Sequence, residues 1–150
     1  LLIGIIAAPP FAIALTADYV PRLQPLWISQ HLARIVRRID PQRQAVISIS
    51  GYHEPSVVFA LGTASRLTDR AGVERGLHGP GPAIGIIAEQ IETLPEQLPR
   101  TGPLDEDPSL RLVEVFSGFN YSKGKPLRIS VYSHGLDASP EPPPAAARGR

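Results

Sequence analysis

The chain has 150 residues, enough for one domain that buries about two thirds of its unfolded surface and too few for a second full one. Its 15 basic and 14 acidic residues leave a net charge of +1, which excludes a whole-molecule field that would draw in nucleic acid or acidic partners. Cysteine is absent, so disulfides, thiolate zinc sites and cysteine nucleophiles are excluded as well.

The first segment, LLIGIIAAPPFAIALTA, runs from Leu1 to Ala17 without a charge. A bilayer span takes about 20 apolar residues, and with methionine absent and the chain opening on Leu1-Leu2, the expectation is a fragment that starts inside a truncated last transmembrane helix. Pro9 and Pro10 sit inside the run, which fits one span of a bundle better than a signal peptide or an isolated buried helix. Tyr19 and Trp27 follow at the distance of an interfacial aromatic belt. Residues 1–25 are therefore read as truncated helix and juxtamembrane connection, 26–135 as one extracytoplasmic α/β domain, and 136–150, rich in proline and alanine, as a disordered tail.

Ser29 is placed to cap a helix in which Leu32, Ile35, Val36 and Ile39 recur at helical spacing, with Arg34, Arg37 and Arg38 on other faces. The apolar face is expected to dock on a sheet. Five strands are expected next: AVISIS from Ala45, SVVFALG from Ser56, AIGIIAE from Ala83, LRLVEVFSGF from Leu110 and PLRISVYS from Pro126. TASRLTDRAGVERGL reads as a short helix and IETLPEQLPR as a broken one. The last two strands flank NYSKGK, whose Gly124 suits a tight turn, and should form an antiparallel hairpin. The fold class is α/β: a small mixed sheet of about five strands with flanking helices and a C-terminal hairpin.

Ser50-Gly51-Tyr52-His53-Glu54-Pro55-Ser56 gathers a histidine, a carboxylate and a hydroxyl, yet fits no catalytic motif. A zincin needs a second histidine where Val57 stands, and a nucleophile elbow needs glycines on both sides of Ser56. Gly51 and Pro55 mark a turn after the first strand, and loops at strand C-termini are where open α/β sheets usually bind ligands. Tyr52, His53 and Glu54 are candidate contact residues on that ground. A soluble enzyme using Ser56 and His53 is the weakest of the readings. His31, His53, His78 and His134 show no metal-ligand spacing. In HGPGPAIG, Pro80 and Pro82 remove the backbone donors that a phosphate loop needs. Lys123 and Lys125 at the hairpin tip are placed to meet lipid phosphates or an anionic acceptor. Asp105, Glu106 and Asp107 read as a solvated connection, and Asn120-Tyr121-Ser122 forms a glycosylation sequon.

Three stretches in order, LQPLWISQHLARIV, ISGYHEPSVVFALGT and SGFNYSKGKPLRISVY, resemble the C-terminal end of bacterial membrane glycosyltransferases of the dolichyl-phosphate-mannose protein mannosyltransferase class, related to the aminoarabinose transferases. The resemblance covers residues 10 to 134, roughly. It implies an inner-membrane enzyme whose soluble part is periplasmic, and a polyprenyl-phosphate-linked sugar donor. It also implies a divalent metal in the complete enzyme, and catalytic carboxylates in an N-terminal portion that this chain lacks. No catalytic residue carries over and no cofactor is expected in this fragment. The implied partners are membrane lipid, the missing N-terminal membrane domain and the sugar donor, with no nucleic acid. Tyr52, His53, Glu54, Asn120, Lys123 and Lys125 are the implied substrate-side candidates. The arginines after the apolar run, from Arg22 to Arg43, taken alone favour a cytoplasmic flank. The alternative is a membrane-tethered α/β binding or scaffolding module without catalytic activity.

Overall fold

The computed structural model describes residues 28–95, 97–120 and 122–136. The expected membrane helix, its aromatic belt and nearly all of the expected disordered tail lie outside these residues. No helix among the described residues is long and apolar enough to cross a membrane.

Three helices and five strands are present among the described residues: α1 (Ile28–Ile39), β1 (Val46–Ser50), α2 (Pro55–Leu61), β2 (Arg66–Leu67), α3 (Arg70–Leu77), β3 (Ala83–Gln90), β4 (Arg111–Asn120) and β5 (Lys125–His134). The sheet order is β2-β1-β3-β5-β4. β1 runs parallel to both β2 and β3, whereas β5 is antiparallel to β3 and to β4. The mixed α/β class is as expected, with the hairpin closing one edge.

The apolar face of α1 packs as its spacing demands. Leu32, Ile35, Val36 and Ile39 are buried against Ile47, Ile49, Ile84 and Ile86 of the sheet, while Arg34, Arg37 and Arg38 stay exposed. Each fully buried isoleucine or leucine contributes about 1.5 to 3 kcal/mol relative to an exposed one. His31 and Arg38 reach from the same helix to the two oxygens of Glu114 on β4, at 2.7 and 2.8 Å, and this pairing holds the Glu114 carboxyl below its usual range. Asp40, buried beyond the end of α1, accepts from the backbone N–H groups of Gln44 and Ala45 and so fixes the turn into β1.

On the opposite face α3 brings Val73 and Leu77 onto Ala83, Ile87 and Tyr132. Gly85 permits this approach, because a Cβ there would lie 2.6 Å from Leu77 Cδ1 and 2.8 Å from Val73 Cγ1. β3 is therefore covered on both sides, which accounts for its continuous apolar character.

Four expectations need correction. SVVFALG is a helix, not a strand, because Pro55 occupies its first turn, where the ring presets φ and the missing N–H costs nothing. Only Val57 of that run is fully buried, and Phe59 is 87% exposed. The place of the lost strand is taken by β2, two residues hydrogen-bonded to Ser48 and Ile49 within the stretch expected to be helical; α3 begins only at Arg70, after Asp69 accepts from Gly72 N. IETLPEQLPR forms no helix among its described residues. Ser29 also does not act as a cap. It lies inside α1, and its hydroxyl is spent elsewhere.

Candidate functional site

β1 points its C-terminal end at a loop that the hairpin turn overhangs. Register fixes this arrangement: Ser50, the last residue of β1, pairs with Ile87, and β3 runs on to Gln90 beside Leu127 at the start of β5. The turn between β4 and β5 thus sits over the C-terminal ends of the two central parallel strands. β2 and β3 lie on either side of β1, and helices leave on opposite faces, which is the switch-point crevice where open α/β sheets bind ligands.

Gly51 makes the loop possible with φ of +78° as the chain passes directly over Ala88 of β3. Tyr52 then drops into the core, 2% exposed, and its hydroxyl donates to Glu54 Oε2 at 3.0 Å. Glu54 Oε1 accepts from Ser122 at the hairpin turn, through the hydroxyl at 3.1 Å and the backbone N–H at 3.4 Å. Ser29 lies 3.3 Å from the Tyr52 hydroxyl and 2.8 Å from that of Ser56. A carboxylate only accepts, so the direction of the chain is determined. Tyr52 gives its single proton to Glu54 and accepts from Ser29, which in turn accepts from Ser56. Burial above all, with help from the bond to Glu54, raises the Tyr52 pKa above 10 and keeps it a donor. On the turn, Asn120 Oδ1 accepts from Lys123 N at 3.1 Å and shares the Ser122 hydroxyl proton at 2.8 Å.

Of the residues expected at a site, Tyr52, Glu54 and Asn120 therefore meet in one network that also includes the Lys123 backbone. His53 does not join it. Its ring is exposed, with Nε2 3.4 Å from the Thr68 carbonyl, although His53 shares with Glu54, Pro55, Ser56 and Ser122 the lining of a shallow open cleft. The side chains of Lys123 and Lys125 are exposed, and Lys125 Nζ donates to Gln90 Oε1 at 3.3 Å. Ser56 and His53 are not hydrogen-bonded to each other, so the nucleophile and base of a soluble hydrolase are not assembled. Asn120, 2% exposed, offers no amide to a glycosylating enzyme in the folded state. Sequence reasoning missed Ser29 as a member; the signal was a serine three residues before Leu32 on the buried face of α1.

With three donors on its carboxylate, Glu54 is equipped to fasten and position the hairpin rather than to abstract a proton. No group of three or more His, Asp or Glu side chains among the described residues is placed to hold a metal ion.

The acidic loop is likewise more than a solvated connection. Asp105 accepts from the buried Tyr132 hydroxyl at 3.0 Å, and burial foremost pushes that phenol up to about 12. Asp107 accepts from Ser109 and from His78 Nε2, while His78 Nδ1 faces the Glu74 carbonyl at 2.8 Å. The Glu74 carbonyl and then Asp107 raise the His78 pKa; Ser109 and then His78 hold Asp107 down at about 2. The histidine contribution is complete below 6.5 and lost as pH rises through the raised value, whereas the aspartate contribution is complete above 3.8 and lost as pH falls towards about 2. The clasp between α3 and the loop is therefore tightest between these limits. Titrating the His78 ring by NMR should give a pKa above 6.5 that falls in Asp107→Asn without reaching 6.5, since the Glu74 carbonyl still accepts. An unchanged His78 pKa in that variant would remove Asp107 from the clasp.

No family model matches the chain, and no curated protein or solved structure matches it either.

Proposed function

We propose that the chain is the C-terminal accessory domain of an integral-membrane glycosyltransferase, one that transfers a sugar from a polyprenyl-phosphate donor to a lipid or protein acceptor. On this reading the apolar run from Leu1 lies in the bacterial inner membrane, and the α/β domain stands in the periplasm against the N-terminal membrane portion. The observation that carries the reading is the Glu54–Ser122 contact. The two most specific stretches of the resemblance, GYHEPS and GFNYSKG, lie 68 residues apart and are joined there by hydrogen bonds at one end of the sheet. A shared site gives a physical reason for both motifs to occur in one chain. Tyr52, Glu54 and Asn120 hold the cleft in shape, and His53, Lys123 and Lys125 are exposed around it for contact with catalytic loops or the anionic donor.

The reading frame upstream of Leu1 tests this. Several further apolar spans and an acidic pair in an early extracytoplasmic loop are expected, together with sugar transfer from a polyprenyl-phosphate donor by membranes carrying the complete frame. A start codon just before Leu1 would sink the proposal and leave the tethered binding module.

A further inference from the structure

We infer that the domain carries a second ligand site, a pocket for a phosphate monoester with an apolar body, at the end of the sheet opposite Glu54. The inference stands on this cavity alone and is independent of the transferase reading.

The cavity arises because β2 is short. It pairs only with Ser48 and Ile49, so the first half of β1 has no neighbour on that side, and Val46 is left 40% exposed. The last turns of α1, the loop into β1, the end of α2 and residues 62–65 wall off the gap and enclose about 510 Å³, within the range of small-molecule sites. Its apolar surface comes from Ala33, Val36, Val46, Ala60 and Leu61.

Three arginines line it from three separate segments: Arg37 on α1, Arg43 in the loop and Arg66 on β2. None of the three has an ion pair or side-chain hydrogen bond among the described residues, whereas Arg38 and Arg70 are paired with carboxylates. Arg43 also has φ of +54°, a backbone state that costs a side-chain-bearing residue about 1 to 2 kcal/mol. The turn fixed by Asp40 holds it there, since Arg43 N donates to Asp40 O at 3.2 Å and the Asp40 carboxylate takes the next two N–H groups. Strain kept in place beside a cavity, with an unpaired charge on the strained residue, points to a ligand.

The charges select the ligand. Against three guanidiniums stands one carboxylate, Asp40, already spent on backbone donors. The excess of two positive charges suits a phosphate dianion, which guanidinium groups bind in bidentate fashion. The C-terminal ends of α1 and α2 at this cavity carry partial negative charge, so the phosphate belongs with the arginines and the apolar body against Val36 and Leu61.

Phenyl phosphate titrated into the full chain in a nonionic detergent, followed by amide NMR, tests the site. Saturable shifts of Ala45, Thr63 and Arg66 are expected, with affinity at least about tenfold above that of inorganic phosphate and a loss of about tenfold or more in the Arg43→Gln/Arg66→Gln variant. Arg75→Gln, on α3, should leave binding unchanged, and the amide spectrum of each variant reports its folding. The inference fails if inorganic phosphate binds as tightly, if phenyltrimethylammonium produces the same shifts, or if the double variant binds normally. Tighter binding of dihexanoyl phosphatidylglycerol than of phenyl phosphate would overturn the monoester in favour of a phosphodiester lipid headgroup.

Discussion

Gly51→Ala is expected to destabilise the domain by about 3 kcal/mol or more, the upper part of the range for a single substitution. Two costs combine. An alanine at φ of +78° is strained by about 1 to 2 kcal/mol. Its Cβ would also run into the carbonyl oxygen of Ala88, which belongs to the backbone of β3 and cannot rotate away. Relief requires the chain to lift off β3, which pulls Tyr52 from its buried position and Glu54 away from Ser122. Gly124 provides the comparison. It has φ of +63°, and a methyl group there would meet nothing within 4 Å, so Gly124→Ala should cost only the backbone strain, about 1 to 2 kcal/mol. Urea unfolding of the two variants checks the difference; equal losses would mean that the approach to Ala88 is not tight.

The same residue marks how far the sequence could be read. Gly51 and Pro55 announced a turn, and the flanking runs at Ala45 and Ala83 announced strands, because short apolar stretches bounded by turn residues admit few other structures. The hairpin around Gly124 was legible for the same reason. Ser56 to Gly62 was not, since a seven-residue apolar run carries no period that separates strand from helix, and the deciding feature was the position of Pro55 within the first turn. β2 has two residues and leaves no pattern.

For the site, sequence placed Tyr52, Glu54 and Asn120 among the candidates but could not bring them together, because the Glu54–Ser122 contact depends on register across β3 and β5. His53 and Glu54 are neighbours in the chain and diverge in space, one towards the Thr68 carbonyl and the other beneath the hairpin. Which way a side chain turns in an irregular loop is settled by tertiary partners. Ser29, a polar residue on a buried helix face, is intelligible only once Tyr52 and Ser56 are seen beside it.

Glu54 is where stability and the proposed function meet, and its removal should have the second large effect. Glu54→Ala takes the charged acceptor from the buried hydroxyl of Tyr52, leaving it only the longer contact with Ser29, and frees the hairpin turn at Ser122. Hydrogen bonds to a charged group contribute about 1.5 to 3 kcal/mol, so a loss of about 2 to 3 kcal/mol is expected. Glu54→Gln keeps the shape and one acceptor oxygen but presents donors to a donor, and should cost about 1 to 2 kcal/mol. Ser122→Ala alone should cost about 1 kcal/mol, less than Glu54→Ala because this end of the network is exposed. The double variant Glu54→Ala/Ser122→Ala should lose less than the sum of its parts by about 0.5 kcal/mol or more, since the second substitution then breaks only the Ser122 bond to Asn120 and none to Glu54. Strict additivity in that cycle would separate the two motifs energetically and take away the observation on which the accessory-domain reading stands. On the proposed accessory-domain reading, Glu54→Gln in the complete protein should lower sugar transfer while the protein still folds, because the hairpin and its lysines would be held less firmly over the cleft. Unchanged turnover there would leave Glu54 a purely structural tie between a loop and a hairpin.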